Sequence, residues 1–257
     1  MSKLVVMHHL LDPDDRPGLE RWFWKHHCPE VLAQAPWMTR YVLYRAQPAP
    51  SGAEAYGAIN YRVHENWVWG PDQRRGVKGL LSMTPEPAAM EVLAFSVPAE
   101  PTEDFLGADL RPDDKSVLRW VCAFRYPDGV EEEKGEDWYL NVHVPEVCRQ
   151  PGLIRFFSHK AQAGVRPAIP KSNAQRPFMA RVSPLMGKRW HRISELWYEN
   201  DSGWKESVLK APPAYTPPPW TGHGAYPFLV PGQEFVSAFL LERPDEDLMQ
   251  TCRPRYF

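Results

Sequence analysis

Apolar and polar positions along the chain follow a β-α-β-β-α-β order that occurs twice. Strand-like apolar runs ending in a Pro-Asp turn stand at residues 4–15 (LVVMHHLLDPDD) and 118–129 (LRWVCAFRYPDG). A helical pattern follows each run, and each half closes with a further apolar run, AMEVLAFSV (89–97) and EFVSAFLLE (234–242). The pattern therefore predicts two repeats of one supersecondary unit.

The two helical segments share a skeleton of Trp, an aromatic residue, three residues, His, one residue and Pro-Glu-Val. It occurs in RWFWKHHCPEV (21–31) and in DWYLNVHVPEV (137–147). Further on, INYRVHEN (59–66) aligns with ISELWYEN (193–200), which matches His64 with Tyr198. The other matched pairs are Trp22 with Trp138, Phe23 with Tyr139, His27 with His143, Arg40 with Arg155, and Tyr44 with His159.

The spacing of apolar residues predicts an amphipathic helix with the repeated histidine on or beside its apolar face. Pro29 and Pro145 follow that histidine, and a proline inside a helix removes an N–H and crowds the carbonyl four residues back. We therefore expect each helix to kink or loosen beside the histidine. In the first repeat the apolar face consists of Leu19, Trp22, Phe23, His27 and Val31.

A β-α-β-β-α-β unit forms a four-stranded antiparallel sheet with both helices on one face. The other face is apolar and needs a cover, which the second repeat supplies. The fold class is therefore α+β: two tandem ferredoxin-like repeats whose antiparallel sheets pack as an intramolecular eight-stranded barrel. The expected segments are repeat 1–98, an exposed acidic linker 99–115, repeat 116–243 with a basic Pro-rich insertion 161–190, and a tail 244–257 that wraps over the surface.

The Trp-[Phe/Tyr]-x3-His-x-Pro pattern, with PGL at residues 151–153, resembles the EthD-like branch of the dimeric α+β barrel superfamily. Residues 137–161 carry the better match, because the first repeat has APWMTR where PGL is expected. Members of that superfamily usually close the barrel by dimerising. The resemblance implies an enzyme with a pocket between sheet and helices and with the repeated histidine in its wall. It does not decide the reaction, since the group includes oxygenases, isomerases, cyclases, lyases and haem-dependent branches.

Composition excludes several classes of protein. The net charge of −2 gives no general attraction to nucleic acid or anionic lipid, and no apolar run approaches a membrane span. The N-terminal segment MSKLVVMHHLLD is a poor signal peptide. The four cysteines lie far apart, which is typical of reduced cytoplasmic thiols. We expect a cytoplasmic protein that binds a small aromatic acid or phenol and binds neither nucleic acid nor a membrane. A homodimer is possible.

Histidines are the main candidates for chemistry, because an imidazole exchanges protons near neutral pH. Common nucleotide-binding, hydrolase and zinc motifs are absent from the sequence. His8 and His9 point to opposite faces of a strand, so they cannot enter one pocket together. We therefore expect neither a metal nor another cofactor. The candidate catalytic residues are His143, His159, His27 and His9.

Polar and aromatic side chains at barrel positions are candidates for substrate binding. Residues 147–194 contain ten Lys and Arg and no Asp or Glu. This run favours an active pocket in the second repeat, with His143 and His159 as catalytic residues and a basic side chain that binds a carboxylate. If the pocket of the first repeat is the active one, His27 and His9 take the equivalent parts. Neutralisation of the acidic stretch 100–137 is the alternative reason for the run. The candidate binding residues are Tyr44, Arg62, His64, Arg119, Arg155, His191, Trp197 and Tyr198.

These residues favour a cofactor-independent lyase that decarboxylates or dehydrates a phenolic or aromatic acid by His or Tyr acid-base chemistry. One alternative is a cofactor-free aromatic monooxygenase, isomerase or cyclase of the same fold. A second alternative is a non-catalytic barrel that binds a ligand under stress.

Overall fold

The computed structural model describes residues 1–35, 38–56, 59–68, 90–107, 117–162, 188–211, 214–220, 234–241 and 243–251. The strands are β1 (Ser2–Leu10), β2 (Met38–Arg45), β3 (Arg62–Val68), β4 (Met90–Pro98), β5 (Glu103–Leu106), β6 (Leu118–Phe124), β7 (Leu153–Lys160), β8 (Arg192–Tyr198), β9 (Phe235–Leu241) and β10 (Glu246–Asp247). The α-helices are α1 (Arg16–Trp22), α2 (Cys28–Gln34), α3 (Glu132–Trp138), α4 (Val144–Val147), α5 (Asp201–Lys205) and α6 (Leu248–Thr251).

Two antiparallel sheets form the framework, which we name sheet A and sheet B. Sheet A has the strand order β10-β2-β3-β1-β4, and sheet B has the order β5-β7-β8-β6-β9. In both sheets the first and third strands of a repeat pair in the centre, as a ferredoxin-like unit requires. The prediction of an α+β fold with two tandem ferredoxin-like repeats is confirmed.

The core is divided into three layers of buried side chains. A middle layer joins the two sheets, and its members include Val5 and Phe95 from sheet A and Val121 and Leu240 from sheet B. An outer layer packs sheet A against α1 and α2, and a second outer layer packs sheet B against the helices of the second repeat. The sheets therefore face one another with the helices outside. Alternate residues of each strand point to the middle and to the outer layers.

The outermost strands depart from the predicted eight-stranded barrel. β5 follows the last strand of the first repeat and pairs with β7 of sheet B, while β10 follows the last strand of the second repeat and pairs with β2 of sheet A. Each repeat thus contributes a short arm to the other sheet, which gives five strands per sheet. Residues 103–106 of the expected linker form a strand paired with β7, and none of their side chains is buried.

Strand pairing corrects the alignment of the third strands. Glu65 lies opposite Val5 in sheet A, and Glu195 lies opposite Val121 in sheet B. The matching segments are therefore RVHENWV (62–68) and RISELWY (192–198), four residues away from the predicted alignment. The common pattern Arg-x-x-Glu-x-Trp was overlooked because the Glu-Asn dipeptide that ends each predicted segment suggested another register. The predicted pairs Arg40 with Arg155 and Tyr44 with His159 are confirmed by their strand partners.

Four charged side chains meet between the sheets, and we call them the central tetrad: Lys3, Glu65, Arg119 and Glu195. Arg119 donates to both glutamates, and the Lys3 ammonium lies 3.8 Å from Glu65 and 3.5 Å from Glu195. All four are buried. Burial raises the pKa of Glu195, but Arg119 and Lys3 outweigh it and hold the pKa at about 2. The tetrad is electrically neutral and joins the repeats, since each cation contacts a carboxylate of both sheets.

Several expectations fall outside the described residues. They are the second helix of the first repeat, most of the basic insertion, and the end of the C-terminal tail. The second helix of the second repeat is present as α5, which continues in a wide turn over Glu206–Lys210. Within the part of the chain that the structure describes, no helix is both long enough and apolar enough to cross a membrane.

Candidate functional site

The repeated histidine ends a π-helical turn in each half. The first turn, Phe23–His27, joins α1 to α2, and the second, Tyr139–His143, joins α3 to α4. The N–H of Cys28 reaches back to the carbonyl of Phe23, five residues earlier. The prolines therefore loosen the helix without breaking it, in agreement with the sequence prediction. Such wide turns push a side chain out of the regular helical spacing and are frequent at functional sites.

In the first repeat the wide turn places His27 over two histidines of sheet A. We call His8, His27 and His64 the histidine trio. The rings of His8 and His64 stack at 4.4 Å between centroids, and the His27 ring lies 6.1 Å from His8 and 5.9 Å from His64. His8 and His64 are each 1% exposed, whereas His27 is partly exposed and stacks on Trp22 at 4.9 Å. His27 is thus the solvent-facing member of the trio.

The surroundings of the trio are apolar with a few polar partners. The Tyr41 hydroxyl and Nδ1 of His64 are hydrogen-bonded at 3.2 Å, and Nδ1 of His8 lies 3.2 Å from the sulfur of Met90. The Nε2 atoms of His8 and His64 have no hydrogen-bond partner among the described residues. A buried imidazole nitrogen without a partner is unfavourable, and a polar ligand would satisfy it.

The trio is neutral at pH 7. Burial, followed by the neighbouring His27 and Arg62, lowers the pKa of His8 well below its usual value. Burial, followed by His8, His27 and Arg62, does the same for the pKa of His64. Burial also lowers the pKa of His27 to about 4, against an opposing effect of Glu30. Burial raises the pKa of Tyr41, so its hydroxyl keeps its proton. Each ring therefore has one nitrogen that accepts and one that donates a proton.

The neutral trio predicts a pH dependence of stability. In the unfolded chain these imidazoles titrate near pH 6.5, and in the folded protein their pKa is lower. The unfolded state then binds more protons between about pH 6.5 and 4, so the free energy of unfolding falls as the pH falls through this window. His8→Phe should make the fall in unfolding free energy smaller, because it removes one of the titrating imidazoles. Phenylalanine is chosen because Phe124 occupies the matching position of the second repeat. Urea unfolding at several pH values measures both slopes; equal slopes would contradict a buried, neutral His8.

The matching place in the second repeat is built from other residues. Phe124 stands where the first repeat has His8, Ser194 stands in place of His64, and Phe156 in place of Tyr41. The hydroxyl of Tyr139 and that of Ser194 are 2.8 Å apart, and Ser194 donates to Ser158 at 3.2 Å. This half therefore has a hydroxyl network and one imidazole where the first has three imidazoles.

The predicted site residues are divided among three places. The middle layer contains His9, Tyr44, Arg119, Arg155, His159 and Trp197, and the outer layer of sheet A contains His27, Arg62 and His64. His143 and Tyr198 lie in the outer layer of sheet B, and His191 lies beside Tyr126, whose backbone N–H donates to its Nδ1. The structure does not bring His143 and His159 together, because opposite faces of sheet B carry them.

The environment of the two second-repeat histidines differs accordingly. His143 stacks on Trp138 at 4.9 Å, and burial lowers its pKa to about 3. His159 lies in the middle layer, where burial and then Lys3 lower its pKa to about 4. Tyr44, its counterpart in sheet A, has the Arg119 guanidinium 4.5 Å from its ring centre, and burial raises its pKa to about 12.

Sequence reasoning considered either His8 or His9 for the site and chose His9, and it missed Tyr41. His9, which was preferred, lies on the face of Val5 and Met7, toward sheet B. Alternation along β1 would have assigned His8 to the helix side once Val5 and Met7 were placed in the middle layer. A bulge near the start of β2 determines the face of Tyr41, and no sequence signal indicates that bulge.

Among the described residues, no group of three or more His, Cys, Asp or Glu is arranged to hold a metal ion. The trio, one stacked pair and a third ring, is therefore not a metal site of that kind. The neutral imidazoles can accept hydrogen bonds or take up a proton transiently during a reaction, and aromatic rings lie beside their nitrogens.

A family model for the chalcone isomerase N-terminal domain matches residues 1–94, which include the whole trio. No curated protein matches the sequence. The structure of a candidate monooxygenase from Lactobacillus acidophilus is similar with 10% identity over 96% of both chains and a TM-score of 0.33. An anthrone oxidase-like protein has 9% identity over 95% of this chain and 92% of its own, with a TM-score of 0.48. A candidate chlorite dismutase has 9% identity over 80% and 82%, with a TM-score of 0.36. Structural similarities with such low identities and TM-scores support no conclusion about the activity of this protein.

Proposed function

We propose that the first repeat contains an active site for cofactor-independent proton transfer, of the isomerase type, on a phenolic or related aromatic small molecule. The observation that carries this proposal is the meeting of His8, His27 and His64 in the outer layer of sheet A. The match of residues 1–94 to the chalcone isomerase N-terminal domain supports it, because the same residues hold the trio. That the protein is an enzyme at all is itself proposed here.

The chemistry of an isomerisation suits such a group. An isomerase removes a proton at one atom of its substrate and returns one at another, so neither oxidant nor reductant is needed. For a chalcone with a hydroxyl on the ring next to the carbonyl, the phenol loses its proton and its oxygen adds to the double bond. The carbon beside the carbonyl then takes up a proton, and the product has the composition of the substrate.

The three rings are suited to different parts of this reaction. His27 is partly exposed, so it can take the proton of an entering phenol and exchange it with solvent. His8 and His64 are buried and neutral, so their free Nε2 atoms can bind substrate oxygen or accept a proton from it. Tyr41 orients His64 through its hydrogen bond. The buried Phe23 ring lies 5.0 Å from His64 and 5.3 Å from His27 and packs beside both imidazoles.

This assignment differs from the sequence hypothesis in two respects. The first repeat replaces the second as the active half, because the second has Phe124 and Ser194 where the trio requires imidazoles. Isomerisation replaces loss of carboxylate or water as the preferred reaction, since the family model is that of an isomerase domain. The lyase hypothesis stays a prediction, and the same imidazoles could act as acid and base in that reaction.

The test uses the purified protein with 2′-hydroxychalcone, whose absorbance falls when the ring closes. We expect steady conversion to a product of equal mass, at the same rate with and without oxygen and after treatment with a chelator. Conversion that requires oxygen and consumes it would indicate the oxygenase alternative. Release of carbon dioxide from a hydroxycinnamic acid, without isomerisation of any hydroxychalcone, would indicate the lyase. Absence of all three reactions would contradict the proposal.

A further inference from the structure

Arg62 lies beside the histidine trio on the same face of sheet A. It stands directly opposite His8 in the pairing of β1 with β3, and two residues before His64 on its own strand. Directly opposed side chains in antiparallel strands begin about 4.5–5.5 Å apart. The guanidinium is 1% exposed and lies 5.1 Å from the Phe23 ring, 5.2 Å from Trp24 and 5.3 Å from Tyr61. A cation surrounded by aromatic rings therefore adjoins the trio.

Arg192 is the counterpart of Arg62 in the second repeat, and all of its nitrogens are engaged. Nε donates to Glu136 at 2.8 Å, Nη1 donates to Glu103 and to Ser158, and Nη2 donates to both glutamates. Two carboxylates thus enclose this guanidinium. Its charge is neutralised and its donors are used, so Arg192 has nothing left to offer a ligand.

Arg62 is engaged on one side only. Nη2 donates to the two carboxylate oxygens of Glu20 at 3.0 and 2.9 Å. Nε and Nη1 are buried and make no well-aligned hydrogen bond with a described residue; the Tyr61 hydroxyl interacts with the guanidinium, and the Asp245 carboxylate lies 4.0 Å from Nη1. Leaving guanidinium donors buried and unused is unfavourable. The fork of donors fits a planar anion such as a carboxylate.

Glu20 is well placed to act as an internal substitute for such an anion. Its side chain is 27% exposed, and the neighbouring Trp24, which donates to Glu20 at 3.0 Å, is 37% exposed. An entering carboxylate could take the place of Glu20 while Glu20 turns toward solvent. The corresponding Glu136 accepts from two nitrogens of Arg192, Nε and Nη2, whereas Glu20 accepts from Nη2 of Arg62 alone. Each glutamate also accepts from one aromatic side chain, Tyr126 at 2.7 Å or Trp24 at 3.0 Å.

We propose that Arg62 is an anion subsite: it binds an ionised oxygen group, carboxylate or phenolate, on an aromatic ligand and displaces Glu20 in doing so. The inference builds on the proposed function and narrows its substrates to aromatic compounds with such a group. An oxyanion at Arg62 lies next to His8 and His64. It would favour the protonated form of both rings and so help them donate a proton in the following step.

Benzoate and its neutral analogue benzamide test the subsite by calorimetry, without any turnover. Benzoate should bind saturably and benzamide at least about tenfold more weakly, since the charge-assisted fork is lost. Arg62→Gln should weaken benzoate binding by about tenfold or more, and Arg62→Lys by less. Glu20→Gln should strengthen it several-fold, because the internal competitor is removed.

Arg192→Gln is the matched control, and it should bind benzoate as the unsubstituted protein does. A merely structural role for the pair of Arg62 and Glu20 predicts weaker or unchanged binding in Glu20→Gln and so contradicts the subsite. Equal binding of benzoate and benzamide, or no saturable benzoate binding, also overturns it. Because no step of the assay needs catalysis, Arg62-dependent benzoate binding in a protein that isomerises no chalcone would reject the proposed function and leave the subsite standing.

Discussion

Replacing His27 with alanine is expected to lower the turnover of 2′-hydroxychalcone by about two to four decades, the usual effect of losing a general acid or base. His143→Ala should leave turnover close to that of the unsubstituted protein. The two residues form a matched pair, because each ends a π-helical turn and each stacks on a tryptophan at 4.9 Å. Initial rates of both variants under identical conditions make the measurement.

Urea unfolding of the same two variants separates catalysis from stability. The unfolding free energy of each variant shows whether it is folded under the assay conditions, so a rate loss in a folded variant is not explained by unfolding. Lost turnover in His143→Ala with full turnover in His27→Ala would assign the active site to the second repeat, as the sequence hypothesis did. Full turnover in both would mean that the repeated histidines serve only the structure of their helices.

Arg119→Ala is expected to lower the free energy of unfolding by about 3–5 kcal/mol, the usual loss when one partner of a buried ion pair is removed. The substitution leaves Glu65 and Glu195 buried, with only Lys3 to oppose two negative charges. It also removes the stacking of the guanidinium on Tyr44. Urea unfolding at pH 7 measures the loss.

Arg40→Ala provides the comparison for Arg119→Ala. Arg40 also stacks on an aromatic ring, that of Trp67 at 4.6 Å, and pairs with Asp247 at 3.5 Å, but its side chain is 51% exposed. An exposed ion pair contributes about 1 kcal/mol or less. If the two substitutions have equal effects, the central tetrad does not hold the repeats together.

The repeat architecture could be predicted because both signals that carry it are local. Periodicity located β1 and the first helix, and the His-x-Pro-Glu-Val skeleton located the second copy. The arms β5 and β10 could not be predicted, because their strands are short and carry no alternating pattern. Their pairing depends on where the partner sheet leaves an open edge, which is a property of the assembled molecule.

The site was predicted only in part. His27 and His64 were recognised, but the active half was assigned from the basic run, and most of that run lies outside the described residues. Membership of the trio depends on which face of a strand a residue occupies, and a one-residue change of register reverses every face. This sensitivity explains why His9 was preferred to His8. The third strands were misaligned for another reason, because the Glu-Asn dipeptides at residues 65–66 and 199–200 suggested a register four residues away.

The exchange of arms places the two halves in the relation of two subunits of a symmetric dimer, although one chain encodes them both. In a homodimer every substitution occurs twice, so one subunit cannot change while the other keeps its residues. Fusion removes that restriction. One half can hold Phe124 and Ser194, which are easily buried, while the other keeps His8 and His64, whose burial is unfavourable. The half without the trio still closes the barrel and supplies Arg119 and Glu195 to the shared interior, so it can stabilise a partner that is free to specialise.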